Sequence, residues 1–531
     1  MTARFHILVA TDLTADSLDM LRSAPDAQVQ VAAPTLAALR AGLQGAHALI
    51  ARDEINIDRA LIAAAPRLQV IARVGTALSG IDVEAATARG IVVMNTPGTS
   101  AIAHAEHTLA LMLALSRRLT SAHNSLRDGC WPQDRARQAG TQLYGKTAGV
   151  IGLGRVGSIV AQRCLAFGMT VLAADPYLSG EQTGDKRITL VGLRELLQRS
   201  DYITLHAPVT AETRGLLNAA RIAQIKAGAR VVNIAHSSLW DEAAVAEAVS
   251  AGRLAGAAVD VYAEEPPGGS PLIGLENVIH TPRSGDNTVE AAQDLSTQIV
   301  QQVLDALRGA DYRNVVNMPF MPGVDFETTR PYLRLAECIG ALLHTLARTP
   351  VRRLGVEYRG DAHGLVKPLT VALLKGLLTP VLSDQVNYIN APLLAAERGV
   401  QVAQAKGLKT VDYNNVVAAQ VTLEDGEEIL IAGTLLDRRV PHIVLINKYA
   451  LNFVPEGHLL IMGSYDQPGV IGRLGTLLAE NQINIASWHT GRVQPGGSTL
   501  TVLALDTPLS DELLDTLRQQ DYVRHAHLVF I

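Results

Sequence analysis

Cysteine is scarce in this chain: Cys130, Cys164 and Cys338 are the only three in 531 residues. An odd number without metal-ligand spacing suggests neither a disulfide framework nor a zinc site, so a reducing compartment and no metal are expected. Aromatic residues make up 4%, which leaves burial to Ala, Leu and Val. Long apolar runs are also missing. Stretches such as residues 109–115 fall well short of the roughly 20 residues needed to span a bilayer. The first eleven residues read as a short strand and lack the basic region followed by a long apolar stretch that marks a signal peptide. A cytoplasmic protein with no membrane partner is the expectation. Positive charge is not in excess, and a net charge of −5 argues against nucleic acid as a partner.

What is present is ordinary enzyme material, 48% hydrophobic and 18% charged. The length exceeds what one core usually serves, roughly 250 to 300 residues, so three or four domains are expected. Short apolar strands at 7–10, 48–51, 70–72 and 91–94 alternate with helical stretches, the pattern of a parallel α/β layer. A helical pattern from Ala105 then leads through a polar stretch, 128–142, and a boundary near residue 100 is expected. Strands recur at 147–151, 170–174, 202–205, 230–234 and 256–259 with helix-length spacers, a second doubly wound unit. A helix over about 289–307 is followed by a Pro- and Gly-containing linker at 314–323. The last two hundred or so residues are richer in strands, at 416–423, 428–435 and 442–446, and read as one or two accessory domains.

Gly152-Leu153-Gly154-Arg155-Val156-Gly157 follows an apolar strand and opens a helix, and the next strand ends in Asp175, roughly 20 residues on. Each part has a physical task. The first glycine makes the tight turn, the second lets backbone N–H groups approach a pyrophosphate, and the third lets helix and strand pack closely. The helix N-terminus favours the phosphate charge. Asp175 would accept from the ribose hydroxyls and repel a 2′-phosphate, so NAD is expected over NADP.

The segments flanking this turn resemble the D-isomer-specific 2-hydroxyacid dehydrogenases. They include Asn95-Thr96-Pro97, Ala105-Glu106-His107, Leu143-Tyr144-Gly145-Lys146-Thr147, His206-Ala207-Pro208, Val231-Val232-Asn233 and Glu264-Glu265-Pro266. Residues 318–455, with Val366-Lys367-Pro368 and 386–392, are similar to the intervening domain of the long phosphoglycerate dehydrogenase branch, and 456–531 to an ACT domain. The resemblance implies two doubly wound Rossmann-like α/β domains, then an α+β intervening domain and a βαββαβ ACT domain. The first two would be a split substrate domain, 1–100 with 287–317, and an NAD domain, 101–286. Thr76, Arg155, Val156, Ala207, Ile234 and Asp260 are implied as further NAD contacts, and Arg52 and Arg73 as substrate-facing arginines. In the ACT unit Asp466 and Asn484 stand where polar groups contact an amino-acid effector, serine in this family, although Ser464 replaces a usual histidine. A domain that only dimerises is the alternative there, and a homo-oligomer is implied either way.

Oxidation of a 2-hydroxy acid needs a base, a cation for the carboxylate and carbonyl oxygen, and a carboxylate that tunes the base. Family members use His, Arg and Glu. Glu265 matches, but the arginine position is His236, in Ala235-His236-Ser237-Ser238, and the histidine position is Arg283, in Thr281-Pro282-Arg283. One reading is a reciprocal exchange, with His236 as base and Arg283 as cation. The other is a catalytically silent NAD-binding regulatory protein, because Arg cannot act as a base near neutral pH. His280 is a second candidate base, or a packed histidine.

Overall fold

The computed structural model describes residues 5–52, 54–131, 139–319, 326–361, 364–405, 407–408 and 413–531. Residues 1–4 of the expected first strand, 132–138 of the polar stretch and 320–323 of the expected linker therefore lie outside the described residues.

Five short strands form the first sheet: β1 (Phe5–Ala10), β2 (Ala27–Val31), β3 (Ala48–Ala51), β4 (Val70–Arg73) and β5 (Val92–Asn95). They are all parallel, in the order β2-β1-β3-β4-β5. Every residue of β3, β4 and β5 is buried, as expected of parallel strands covered on both faces. The Val289–Leu307 helix returns to this sheet, and its Leu295, Ile299 and Val303 share a core with Ile7, Ile50 and Val70.

The second sheet holds β6 (Thr147–Ile151), β7 (Thr170–Ala174), β8 (Ile188–Leu190), β9 (Tyr202–Leu205), β10 (Arg230–Asn233), β11 (Gly256–Val259) and β12 (Val278–His280). Its order is β12-β11-β10-β9-β6-β7-β8, again parallel, and the winding reverses between β6 and β9. Such a switch point opens a crevice at the carboxyl ends of the strands. The Ala101–Arg117 helix packs on this sheet through Ala105, Leu109 and Met112.

The third unit is a mixed sheet of β13 (Val351–Arg359), β14 (Gln401–Gln404), β15 (Val416–Leu423), β16 (Glu428–Leu436), β17 (Val440–Ile446) and β18 (Tyr449–Phe453). It is backed by two long helices, Phe326–Leu346 and Val366–Leu382. Gly376 lets those helices meet, since a Cβ there would stand 2.8 Å from the Glu337 Cα. The fourth sheet, β20-β21-β19-β22, is built from β19 (His458–Tyr465), β20 (Ile485–Arg492), β21 (Ser498–Leu505) and β22 (Val523–Phe530). Helices Val470–Glu480 and Asp511–Arg518 complete a βαββαβ unit. Among the described residues no helix is long and apolar enough to cross a membrane.

Candidate active site

The carboxyl ends of the two parallel sheets face one another across a cleft of about 1330 Å³. The first sheet contributes the turns after β4 (Gly75, Thr76) and β5 (Pro97, Gly98); the second contributes Arg155 and Val156 after β6, His206 after β9, Ile234 and His236 after β10, and Arg283 after β12. Every one of these follows the last residue of a parallel strand, so the fold rather than local sequence gathers them.

The glycine turn has the geometry that a dinucleotide needs. Gly152 takes φ of +90°, and a Cβ there would lie 2.8 Å from the Ala207 nitrogen, so glycine is required twice over. A Cβ on Gly157 would collide with the Gly152 carbonyl oxygen. Gly154 differs, because a Cβ on it would meet nothing within 4 Å. It stands at the N-cap of the Arg155–Ala166 helix without a side-chain cap, so the first N–H groups of that helix face open space that an anion suits. At the end of β7, Asp175 is held by the Leu153 N–H at 2.9 Å and the Tyr177 N–H at 3.0 Å. These features fit NAD. Arg155 donates to the Pro97 carbonyl at 2.5 Å, tying the nucleotide turn to the segment after β5. Ala207 packs behind Gly152, whereas Thr76, Val156 and Ile234 line the cleft.

Asp260 is buried and holds the loop after β12. It accepts from Thr281 Oγ1 at 2.5 Å, the Ser284 N–H at 2.7 Å and the Gly285 N–H at 2.9 Å, with His107 Nε2 3.5 Å away. Burial works to raise its pKa, but these hydrogen bonds, with His107 and Thr281 foremost, outweigh it and hold the carboxylate below its ordinary value. Its oxygens therefore serve the loop that carries Arg283.

Arg283 adopts φ of +52° and places Nη1 3.1 Å from Glu265 Oε2, while Glu265 Oε1 accepts from the Tyr262 N–H at 3.3 Å. His236 Nδ1 accepts from the Ser238 N–H at 3.1 Å and lies 2.9 Å from Ser238 Oγ. A backbone N–H only donates, so neutral His236 carries its proton on Nε2 and offers a donor, which differs from the base expected at this position.

One further expectation needs correction. Arg73 does not face the substrate. It is 1% exposed and donates to the carbonyls of Arg52, Ile55 and Ser79, because a guanidinium can enter a core only where carbonyl oxygens satisfy it. His280 is absent from the cleft lining and stacks on Tyr262, and burial lowers its pKa. Arg52 does line the cleft. Sequence reasoning also passed over His104 and His206, both of which line it. His206 was in view as part of its His-Ala-Pro segment, but nothing at residue 104 signalled a cleft position.

In the ACT unit, Asp466 accepts from the Gly496 N–H at 2.9 Å and faces Arg492 at 3.4 Å, whereas Asn484 donates to Asp506 at 2.7 Å. Within one chain they make separate contacts. A smaller cavity of about 530 Å³ lies between the Val470–Glu480 helix and the segment of Gln520 and Tyr522, and is lined by neither residue.

Three family profiles match successive segments of the chain: D-isomer specific 2-hydroxyacid dehydrogenase, NAD binding domain, over 109–285; D-3-phosphoglycerate dehydrogenase intervening domain over 328–447; and ACT domain over 458–521. A D-3-phosphoglycerate dehydrogenase from Archaeoglobus fulgidus is 40% identical over 487 residues, covering 91% of this chain and 92% of that one. One from Bacillus subtilis is 35% identical over 514 residues, covering 97% of each. Among solved structures, the TT0316 protein from Thermus thermophilus superposes with a TM-score of 0.55 at 36% identity, over 59% of this chain and all of that one. D-lactate dehydrogenase from Aquifex aeolicus, complexed with NAD and lactic acid, gives 0.51 at 27% identity, over 57% of this chain and 96% of that one.

Proposed function

The chain belongs to the D-3-phosphoglycerate dehydrogenase family, as an NAD-dependent dehydrogenase, and from that premise we propose that it oxidises 3-phosphoglycerate to 3-phosphohydroxypyruvate for serine synthesis with an altered set of catalytic groups. The observation that carries this reading is the meeting, in one cleft, of Arg155 and Val156, at the start of the nucleotide-turn helix, with the group His236, Glu265 and Arg283. NAD, held by the 152–157 turn and Asp175, supplies a hydride acceptor when bound.

The remaining roles belong to the chain. Arg283 offers the planar cation that suits a carboxylate, and its ion pair with Glu265 fixes its direction. His236 donates from Nε2 to the substrate's carboxylate or hydroxyl oxygen, taking over part of what an arginine does at that position. Arg52, at the first-sheet wall, suits the phosphate. Asp260 acts through the loop it holds. Thr76, Val156 and Ile234 wall the nicotinamide side, with Ala207 behind Gly152. The accessory domains would hold a homo-oligomer together and give the ACT unit a shared edge, where Asp466 and Asn484 of different copies could take serine. Three free thiols, Cys164 and Cys338 of them buried, suit a reducing cytoplasm.

A silent NAD-binding regulator is the second reading, favoured by Arg283 being committed to Glu265 where the family has its base. NADH consumption with a panel of 2-keto acids separates the two. Turnover of 3-phosphohydroxypyruvate is expected, and NADH binding without turnover of any member would establish the silent reading.

A further inference from the structure

Three imidazoles line the cleft: His104, His206 and His236. Their tautomers are set by their neighbours, and the neighbours differ. His236 has Nδ1 committed as an acceptor to the Ser238 N–H, so its outer nitrogen bears the proton. His206 has Nε2 against Thr204 Oγ1 at 2.8 Å, and burial, then the charge on His104, push its pKa down to about 3. It is therefore a very weak base.

His104 is arranged the other way. It lies in the first turn of the Ala101–Arg117 helix, with Nδ1 2.9 Å from the Ser100 carbonyl oxygen. A carbonyl can only accept, so Nδ1 carries the proton and Nε2 holds the lone pair of the neutral ring. The loop after β12 is shaped to admit that edge of the ring. A Cβ on Gly285 would stand 2.9 Å from His104 Cδ2 and 3.3 Å from its Nε2, two residues from Arg283. A ring on the cleft wall, fixed by one hydrogen bond at Nδ1 and keeping its lone pair on the other nitrogen, is the arrangement a general base requires.

We propose that His104 is the catalytic base of this enzyme, standing in from the helix wall for the histidine that the 283 position has lost. The inference rests on the dehydrogenase reading above. In the oxidative direction the hydroxyl proton passes to His104 Nε2 while the C2–H bond breaks and its electron pair leaves with the hydrogen to the nicotinamide ring. The C2–O bond becomes a carbonyl, and the imidazolium later releases the proton to water. Arg283 and His236 hold the carboxylate and the oxygen throughout, so no group is asked to be both cation and base.

The test uses the full-length protein with His104→Asn, which keeps a donor near the Ser100 carbonyl, and His104→Ala. Turnover should fall by roughly 100-fold or more in both, with keto-acid KM and the NADH dissociation constant each within about threefold of wild type. Imidazole added to His104→Ala should recover part of the rate. A readout apart from activity is modification of wild-type His104 by diethyl pyrocarbonate, located by peptide mass spectrometry. Oxalate added with NADH should protect that residue. Wild-type turnover that survives both substitutions, or a His104 that oxalate leaves unprotected in an active enzyme, overturns the proposal alone. A wild type without turnover on any keto acid overturns the dehydrogenase reading and this proposal with it.

Discussion

Replacing Gly152 and Gly154 by alanine, one at a time, should separate what the nucleotide turn does for the fold from what it does for the ligand. At Gly152 the new Cβ meets the Ala207 nitrogen at 2.8 Å and the His206 carbonyl carbon at 2.9 Å, about half an ångström inside ordinary contact. Both neighbours are backbone, so β6 or β9 must shift. Overpacking of this kind costs roughly 1–3 kcal/mol, and φ of +90° adds roughly 1–2 kcal/mol for a residue with a Cβ. At roughly 2–4 °C per kcal/mol for a unit of this size, the melting transition should drop by about 4–20 °C. At Gly154 the Cβ meets nothing within 4 Å, and its extended backbone is open to any residue. Stability should therefore stay within about 0.5 kcal/mol, while the methyl occupies space the pyrophosphate needs and NADH affinity falls about tenfold, or roughly 1.4 kcal/mol. Calorimetry and NADH fluorescence titration on the same samples read both quantities. Gly154→Ala melting as early as Gly152→Ala, or binding NADH like the wild type, would refute this assignment of the turn.

Asp175→Ala should narrow the gap between NAD and NADP dissociation constants, measured by titration, because the carboxylate at the end of β7 repels a 2′-phosphate; wild-type parity for the two cofactors would remove the basis for NAD preference. Arg283→Ala should raise the keto-acid KM by roughly tenfold or more in steady-state kinetics, and an unchanged KM would take the carboxylate away from Arg283. Acid should weaken the ACT domain through His525. Burial first, then His527, Arg348 and Arg524, lower its pKa from 6.5 to about 4, so the unfolded chain takes up a proton that the fold refuses. That contribution is complete above pH 6.5 and is lost as pH falls toward 4. Melting temperature should decline over that window and decline less in His525→Asn; parallel pH profiles would count against it. Truncation after Asn317 removes the Asn387 donor to the Gly90 carbonyl at 2.7 Å along with both accessory domains. It should leave a folded core of smaller assembly size in light scattering, and an unchanged assembly would contradict that role.

Most strands of the two Rossmann-like sheets were legible because burial on both faces makes them short apolar runs such as Ala48–Ala51 and Gly256–Val259. Three edge strands escaped notice: β2, with Gln28 and Gln30 among its five residues, and β8 and β12, of three residues each. One of the two long helices of the third unit was hidden by its composition. Val366–Leu382 is apolar around much of its circumference, which erases the helical period, and its Pro368 lies in the first turn, where no intrahelical N–H bond is lost. In the site, the places of His236, Glu265 and Arg283 in one cleft could be read from motif order alone. The burial of Arg73 could not, since it depends on three carbonyls that tertiary structure assembles. Nor could the tautomers of His104 and His236, which turn on whether a carbonyl or an N–H happens to face Nδ1.

The central claim is that the cleft takes a phosphorylated 2-hydroxy acid, with Arg52 on the phosphate. The most direct test compares kcat/KM for reduction of 3-phosphohydroxypyruvate and of hydroxypyruvate by NADH, in wild type and in Arg52→Ala. A hydrogen bond between charged groups contributes roughly 1.5–3 kcal/mol, so the wild type should prefer the phosphorylated substrate by at least about 10- to 100-fold, and Arg52→Ala should lose most of that preference. Equal kcat/KM for the two substrates in the wild type would contradict the account.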